Sequence, residues 1–373
     1  MAKKGENIYK RKDNRWEGRY MKGRRPDGTP QYGYCYGRTY QEVRQKLLQA
    51  KVDLLTGKIT SSETSRYQLS HYCEQWLQIN RSKIKESTYV KYAATIENHI
   101  KPNLGGCRVQ NLSSHIIEAF SHSLLCEKGL SPKTVKDILI TLHTILKYAS
   151  KQMSPPMPMI EIVYPKVPKS EMRVLTKQEQ LVFVQYLLQD MDSCKFGVLL
   201  SLFTGMRLGE VCALRWGDVS VQEGTLRVRA TMQRLPDMDA DSEGKTKIVI
   251  TAPKSETSSR IIPLTEHAAQ LCASQYCSNP QAFVLTGKVD SFVEPRTMQN
   301  HLAQYTRDCG LEGVHFHTLR HTFATRCVEV DFEIKSLSEI LGHSSPQITL
   351  ERYVHASLSL KRDNMRKLSA IGF

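Results

Sequence analysis

Apolar positions recur along this chain with three rhythms. In residues 1–60, Ile8–Lys12, Arg15–Met21 and Gln31–Tyr36 are short, aromatic-rich runs, separated by Asp13-Asn14 and Pro26-Asp27-Gly28. That pattern predicts three strands joined by turns. Thr39-Tyr40-Gln41-Glu42 then has the spacing of a capping box. Tyr40, Val43, Leu47, Ala50 and Leu54 follow at three- and four-residue intervals, giving one apolar helix face that can cover the sheet. Arg15, Arg19, Lys22, Arg24 and Arg25 are expected on the opposite sheet face. A ribbon of this kind can enter a DNA major groove, although a merely solvated face has the same composition.

After the polar stretch Thr60–Ser65 the rhythm becomes helical. Leu69, Tyr72, Cys73 and Trp76 form a first stripe; Ser87 is placed to cap a second helix reaching Asn98, which Pro102 and Gly105-Gly106 end. Ser113 opens a third helix, and Ser131-Pro132 a fourth with the stripe Val135, Ile138, Leu142, Ile145 and Ala149. Four helices in this length make a bundle. Met153–Val174 carries five prolines and reads as a semi-rigid linker.

The remainder reads as one mixed domain. Thr176-Lys177-Gln178-Glu179 is another capping box, and helices are expected over 177–190, 195–204, 208–215, 266–276 and 296–309. Thr225–Thr231, Lys247–Ala252 and Arg260–Leu264 read as strands. The fold class is therefore multidomain α+β: a three-stranded β-plus-helix module (1–60), a four-helix domain (67–153) and a mainly helical domain with a small sheet (175–373).

Charge sharpens this picture. The 373 residues carry a formal net charge of +15, and residues 1–60 hold 15 Lys+Arg against 6 Asp+Glu. A basic arm on a basic chain points to a polyanion, nucleic acid before membrane. The uninterrupted apolar run of a membrane span is missing, as is the apolar segment of a secretory leader at Met1–Asn7. The ten cysteines form no Cys-x-x-Cys pair, so free thiols in a cytoplasmic location are expected.

Four local patterns carry chemistry. Thr204-Gly205-Met206-Arg207-Leu208-Gly209-Glu210 brackets an arginine with glycines at a helix start, a place that favours an anion, with Glu210 one turn on to orient Arg207. In His317-Thr318-Leu319-Arg320-His321-Thr322, His317 and Arg320 share a helix face and suit two phosphate oxygens. His317 and His321 also have metal-ligand spacing, but a threonine follows His317 where a zinc protease carries its glutamate, and no third ligand is evident, so no metal is expected. Leu341-Gly342-His343-Ser344-Ser345-Pro346 puts His343 in a turn between helices, and Thr349–His355 puts Tyr353 on the second of them. A lone tyrosine on such a helix is usually a core residue.

In this order and spacing the four patterns resemble the tyrosine recombinase (integrase) family, whose motif runs Arg…Lys…His-x-x-Arg…His/Trp…Tyr. The resemblance implies catalytic places for Arg207, His317, Arg320, His343 and Tyr353, and a hairpin lysine for which Lys254 is first choice, with Lys245 and Lys247 as alternatives. It implies a core-type DNA-binding bundle, an arm-binding module in residues 1–60, and attack by tyrosine on DNA without a cofactor. It also implies a homotetramer on double-stranded DNA, helped by an excisionase and a host DNA-bending protein. The apolar tail Ser357–Phe373 is expected to pack on a neighbouring protomer or back on its own domain. A chromosome-dimer resolving recombinase, a type IB topoisomerase and a non-catalytic DNA-binding regulator on the same scaffold are the competing functions.

Overall fold

The computed structural model describes residues 7–24, 29–55, 68–153, 159–168, 172–237, 245–252, 258–353 and 365–366. The chain divides into two compact units, Met1–Pro168 and Lys169–Phe373.

The first unit begins with an antiparallel sheet of β1 (Ile8–Lys10), β2 (Trp16–Arg24) and β3 (Pro30–Gly37), covered by α1 (Tyr40–Leu55). Tyr20 on β2 packs with Leu47 and Ala50 of α1, and a Cβ on Gly18 would meet Leu47 and Val43 side chains at 2.6 and 2.7 Å. Glycine therefore lets the helix approach the strand. The capping box forms only in part. Thr39 Oγ1 accepts from the Glu42 amide (3.2 Å), but the Glu42 carboxylate takes the Arg38 amide (2.9 Å), one residue earlier than expected.

The helical part comprises α2 (Leu69–Asn80), α3 (Glu86–Thr95), α4 (Lys101–Leu104), α5 (Ser114–Cys126) and α6 (Pro132–Gln152). Ser113 and Ser131 cap as expected, accepting from Ile116 and Thr134 amides. All five predicted stripe residues of α6 are buried. Two expectations are corrected. Ser87 lies inside α3, whose N-cap is Lys85. The helix runs past Asn98 and Pro102, because a π-turn over Ile96–Ile100 widens the backbone ahead of the proline, and it ends at Leu104 with Gly105 as its cap, within the expected Pro102–Gly106 stretch; such a turn relieves the clash of a proline ring with the preceding turn. The proline-rich stretch is also less free than a linker. Ile162 is buried in the bundle core, and His143 Nδ1 meets the Tyr164 hydroxyl at 2.8 Å.

The second unit is built around α8 (Ser193–Thr204), which is apolar nearly all round and buried along most of its length. Around it lie α7 (Lys177–Leu188), α9 (Leu208–Ala213), α10 (Glu266–Ser274), α11 (Pro295–Asp308) and α12 (Phe316–Glu329). The Thr176 capping box closes in both directions. The strand predicted over Thr225–Thr231 is two strands in different sheets. β4 (Val219–Ser220), β5 (Thr225–Val228) and β8 (Arg260–Pro263) make one sheet, while β6 (Thr231–Pro236) and β7 (Thr246–Thr251) pair as a separate hairpin. The last named elements among the described residues are α13 (Ile334–Leu341) and α14 (Pro346–Tyr353). Ala324, Leu337, Leu341 and Tyr353 form a small core of their own. The tail expectation falls on residues outside those described, apart from Met365 and Arg366.

Candidate active site

The site grows from the end of one helix. α13 stops at Gly342, whose φ of +64° is the left-handed value that favours glycine. The Gly342 amide donates to Glu339 O (2.9 Å) and the His343 amide to Ser338 O (3.0 Å). This helix-ending pattern leaves the last carbonyls, Ile340, Leu341 and Gly342, without backbone partners, at the negative end of the helix dipole. Three arginines take them, one each. Arg260 Nε donates to Ile340 O (2.5 Å), Arg320 Nη2 to Leu341 O (2.6 Å) and Arg207 Nη2 to Gly342 O (3.1 Å).

Three guanidiniums gathered this closely repel one another, and Glu210 offsets part of that. It is 3% exposed and is bound by Arg260 through two nitrogens (3.1 and 2.8 Å), by Arg207 Nη1 (2.8 Å) and by the Arg207 amide (2.9 Å). Burial alone raises a carboxyl, but hydrogen bonds and charge from Arg260, with the charge of Arg207, outweigh it and hold Glu210 below its ordinary value. Arg320 is 3% exposed and also donates to Gly205 O (2.8 Å). Burial, then the charges of Arg207 and Arg260, push its guanidinium down. Each guanidinium has five N–H donors, so donors remain for an anion.

Tyr353 is buried, at 7% exposure. Its hydroxyl meets His321 Nδ1 at 2.9 Å, and its ring stacks on His343 with 6.3 Å between centroids. His343 Nδ1 in turn meets Thr349 Oγ1 at 2.8 Å. Burial raises the Tyr353 hydroxyl, while the charges of Arg320, Arg352 and Arg207 and a hydrogen bond from Arg320 pull the other way; the net shift is upward. Burial and the surrounding arginines depress the histidines, His343 to about 3. His321 falls to about 4 through burial, then His317, Arg352 and Arg320. His317, beside His321 at 6.2 Å between ring centroids, is also lowered. All three are neutral at pH 7 in the DNA-free protein.

The structure thus gathers Arg207, Glu210, Arg320, His343 and Tyr353 within one unit, with His317 next to His321. Lys254 lies outside the described residues; Lys245 precedes β7, and Lys247 on β7 is 3.4 Å from Asp237. Among the described residues no three His, Cys, Asp or Glu side chains converge as a metal site. Two contributors lack a sequence signal of their own. Arg260 opens a strand as a surface arginine would, and His321 stands out only for its spacing from His317.

The basic sheet face differs from expectation. Arg15 sits in the β1–β2 turn, paired with Asp13 at 2.8 Å, and does not line the sheet. Arg19 does, stacked 3.4 Å over the Tyr32 ring, among the exposed Tyr9, Tyr34 and Tyr36. Lys22 and Arg24 belong to β2 with side chains outside those described, and Arg25 lies wholly outside. The open face is therefore aromatic as much as basic.

Comparison with known proteins places this arrangement. The phage integrase family profile matches residues 173–359, and the phage integrase N-terminal SAM-like domain matches 68–125. A tyrosine recombinase XerC-like protein of Caldanaerobacter subterraneus is 27% identical over 360 residues, 90% of each chain. Tyrosine recombinase XerC of Chlamydia caviae is 27% identical over 256 residues, 64% of this chain and 72% of that one. Among solved structures, the Tn1549 transposon integrase in complex with transposon right end DNA aligns with TM-score 0.68 at 19% identity, over 81% of this chain and 99% of that one. A lambda integrase dimer bound to a core site aligns with TM-score 0.58 at 18% identity, over 94% and 95%. The fold is that of the DNA strand-cleaving and rejoining enzymes. The chain belongs to the phage integrase family and is a tyrosine recombinase of integrase/XerC type.

Proposed function

We propose that this chain is a site-specific recombinase that integrates and excises a mobile genetic element through a 3′-phosphotyrosine and a Holliday junction. One observation carries the reading: the Tyr353 hydroxyl lies beside arginines hung on the carboxyl end of α13. Breaking a phosphodiester needs a nucleophile, a clamp for the developing charge and an acid for the leaving oxygen. Tyr353 Oη attacks the scissile phosphorus and the P–O5′ bond breaks, so the covalent adduct conserves the bond for rejoining. Arg207 and Arg320 hold the non-bridging oxygens with guanidinium forks, and His343 completes the clamp. Such preorganised donors are worth about 10²–10³ in rate each. His317 assists proton transfer, Glu210 fixes Arg207 and Arg260, and Lys254 protonates the leaving 5′ oxygen. Neither metal nor organic cofactor enters this scheme.

In the same reading residues 67–153 grip core DNA, and the module of residues 1–60 binds arm sites through Arg15 in its β1–β2 turn and through Arg19, Lys22, Arg24 and Arg25. Four protomers assemble on two duplexes, with an excisionase and a host bending protein setting direction. The likeness to Tn1549 and lambda integrases supports a mobile element. The XerC-like relative, matched over 90% of each chain, favours a second reading, resolution of chromosome dimers.

The test is a nicked duplex recovered from a random-sequence pool by covalent capture on the wild-type protein. A denaturing gel then shows a protein–DNA adduct with wild type and none with Tyr353→Phe. An adduct that survives in the phenylalanine variant removes Tyr353 from the mechanism. DNA binding without any adduct leaves the non-catalytic regulator as the better account.

A further inference from the structure

The scheme above gives His317 an assisting part in proton transfer but names no atom that receives the nucleophile's own proton, and the structure offers one. The Tyr353 hydroxyl is 2.9 Å from His321 Nδ1, one residue along from Arg320. The other imidazoles at hand are engaged differently. His343 uses Nδ1 on Thr349 and presents its ring face to Tyr353. His317, one helical turn before His321, lies ring to ring with it at 6.2 Å between centroids. We propose that His321, with its own proton on Nε2, accepts the phenolic proton of Tyr353 at Nδ1 as that oxygen attacks DNA. The inference rests on Tyr353 being the nucleophile.

The step balances. The Oη–P bond forms, the P–O5′ bond breaks, the phenolic proton passes to His321 Nδ1, and the leaving 5′ oxygen is protonated from the Lys254 side. Rejoining returns both protons.

The surroundings of His321 also explain why the tyrosine is idle without DNA. Among the described residues the charged or titratable groups that act on it are His317 and Arg320 on its own helix and Arg352 on α14, with Glu210 acting on His317 and Arg320 in turn. With burial the first three keep the imidazole a weak base, and burial keeps the phenol protonated. A phosphate seated on Arg207 and Arg320 adds negative charge within the same cluster. It offsets the cations, strengthens the base and sets proton transfer in motion only when substrate is present.

His321→Asn tests this, because the asparagine amide oxygen can stand near Nδ1 and keep a hydrogen bond yet cannot take a proton. On the captured nicked duplex, single-turnover cleavage at pH 7 is expected to fall about 100-fold, with DNA affinity unchanged. The loss should narrow as pH rises and hydroxide removes the phenolic proton instead. A sulfur replacing the bridging 5′ oxygen leaves without an acid, so it should not rescue the variant. Nitrogen NMR of the DNA-free wild type should show Nδ1 of His321 unprotonated and Nε2 protonated. Undiminished cleavage by the variant, rescue by the bridging sulfur, or a protonated Nδ1 overturns the assignment while leaving Tyr353 as nucleophile. No adduct with wild-type protein on any DNA overturns both.

Discussion

The helical bundle of the first unit and the core of the second solve the same burial problem with different chemistry. In the bundle, α6 buries Val135, Ile138, Leu139, Leu142, Ile145 and Leu146, and among the described residues no charged side chain is buried with them. In the second unit α8 supplies a comparable apolar centre, yet Glu210, Arg260 and Arg320 are buried close to it at 3%, 8% and 3% exposure. Burying ions costs several kcal/mol each even after relaxation, unless their hydrogen bonds are met. Here they are met by helix-end carbonyls and one carboxylate, groups that would otherwise need partners themselves. Two arginines with donors to spare are thus held rigid before any substrate arrives. A surface arginine would have to give up side-chain freedom on meeting a phosphate; these have already done so.

The largest effect expected from breaking that balance is in Glu210→Ala. It strands Arg260 with an unmatched buried charge and should cost about 3–5 kcal/mol. The bundle counterpart, Leu142→Ala, should cost about 2–5 kcal/mol through lost burial and a cavity. The two units are separable by fluorescence, since Trp76 lies in the bundle and Trp216 in the second unit. Urea titrations with a single tryptophan retained, Trp76 or Trp216, and Trp16 replaced in both, should show each substitution moving its own unit's transition. If Glu210→Ala shifts the Trp216 midpoint by less than about 1 kcal/mol equivalent, the buried cluster is not under the strain inferred for it.

Which parts were legible beforehand follows the same division. The α6 stripe is set by residues three and four apart, so local pattern reading finds it. The π-turn before Pro102 is a compromise of the whole helix with its packing and leaves no local signature. At the site, Arg207, His317, Arg320, His343 and Tyr353 announce themselves through family spacing and the glycines around them. Arg260 does not. Its partners Glu210 and Ile340 are 50 and 80 residues away, and only the fold turns a strand's first residue into a buried ion. His321 was visible as a residue but not as a partner, because the Tyr353 contact spans 32 residues. Arg15 erred the other way, its local Asp13 partner outweighing the sheet alternation that would have put it on the open face.

Acid should sharpen the contrast next. His321 and His343 have folded values below the ordinary 6.5, at about 4 and about 3. The unfolded chain therefore takes up protons first as pH falls, and the second unit loses stability from about pH 6.5 downward. Discounted for their partial exposure, the two together should cost about 2 kcal/mol between pH 7 and pH 5. Glu210, also held below its ordinary value, adds a further loss below about pH 4.5. Among the described imidazoles and carboxylates of the bundle only His99 has its value lowered, by burial and then Lys128, so the Trp76 transition should fall less than that of Trp216 down to pH 5. His321→Asn, which cannot be protonated, should flatten the Trp216 profile in part. A Trp216 transition that stays level from pH 7 to pH 5 would show that these imidazoles are freely protonated in the folded protein.

The smallest effect compares like with like. Ser131 caps α6 and Thr176 caps α7, each accepting one amide hydrogen bond, at 3.2 and 3.1 Å. Removing either hydroxyl should cost about 1 kcal/mol. The two sites differ in what surrounds the cap. Thr176 belongs to a closed box in which Glu179 also accepts from the Thr176 amide (2.7 Å) and is clasped by Arg173, which holds its carboxyl at about 2. With Thr176→Ala that carboxylate keeps both remaining partners, so the loss should be no larger than for Ser131→Ala. Below about pH 4.5 wild type and variant both lose what the depressed Glu179 contributes, so the Thr176→Ala deficit should not widen in acid. A Thr176→Ala cost well above that of Ser131→Ala at pH 7 would mean that the hydroxyl itself orders Glu179 and Arg173, and that capping in the second unit is as interdependent as its arginine cluster.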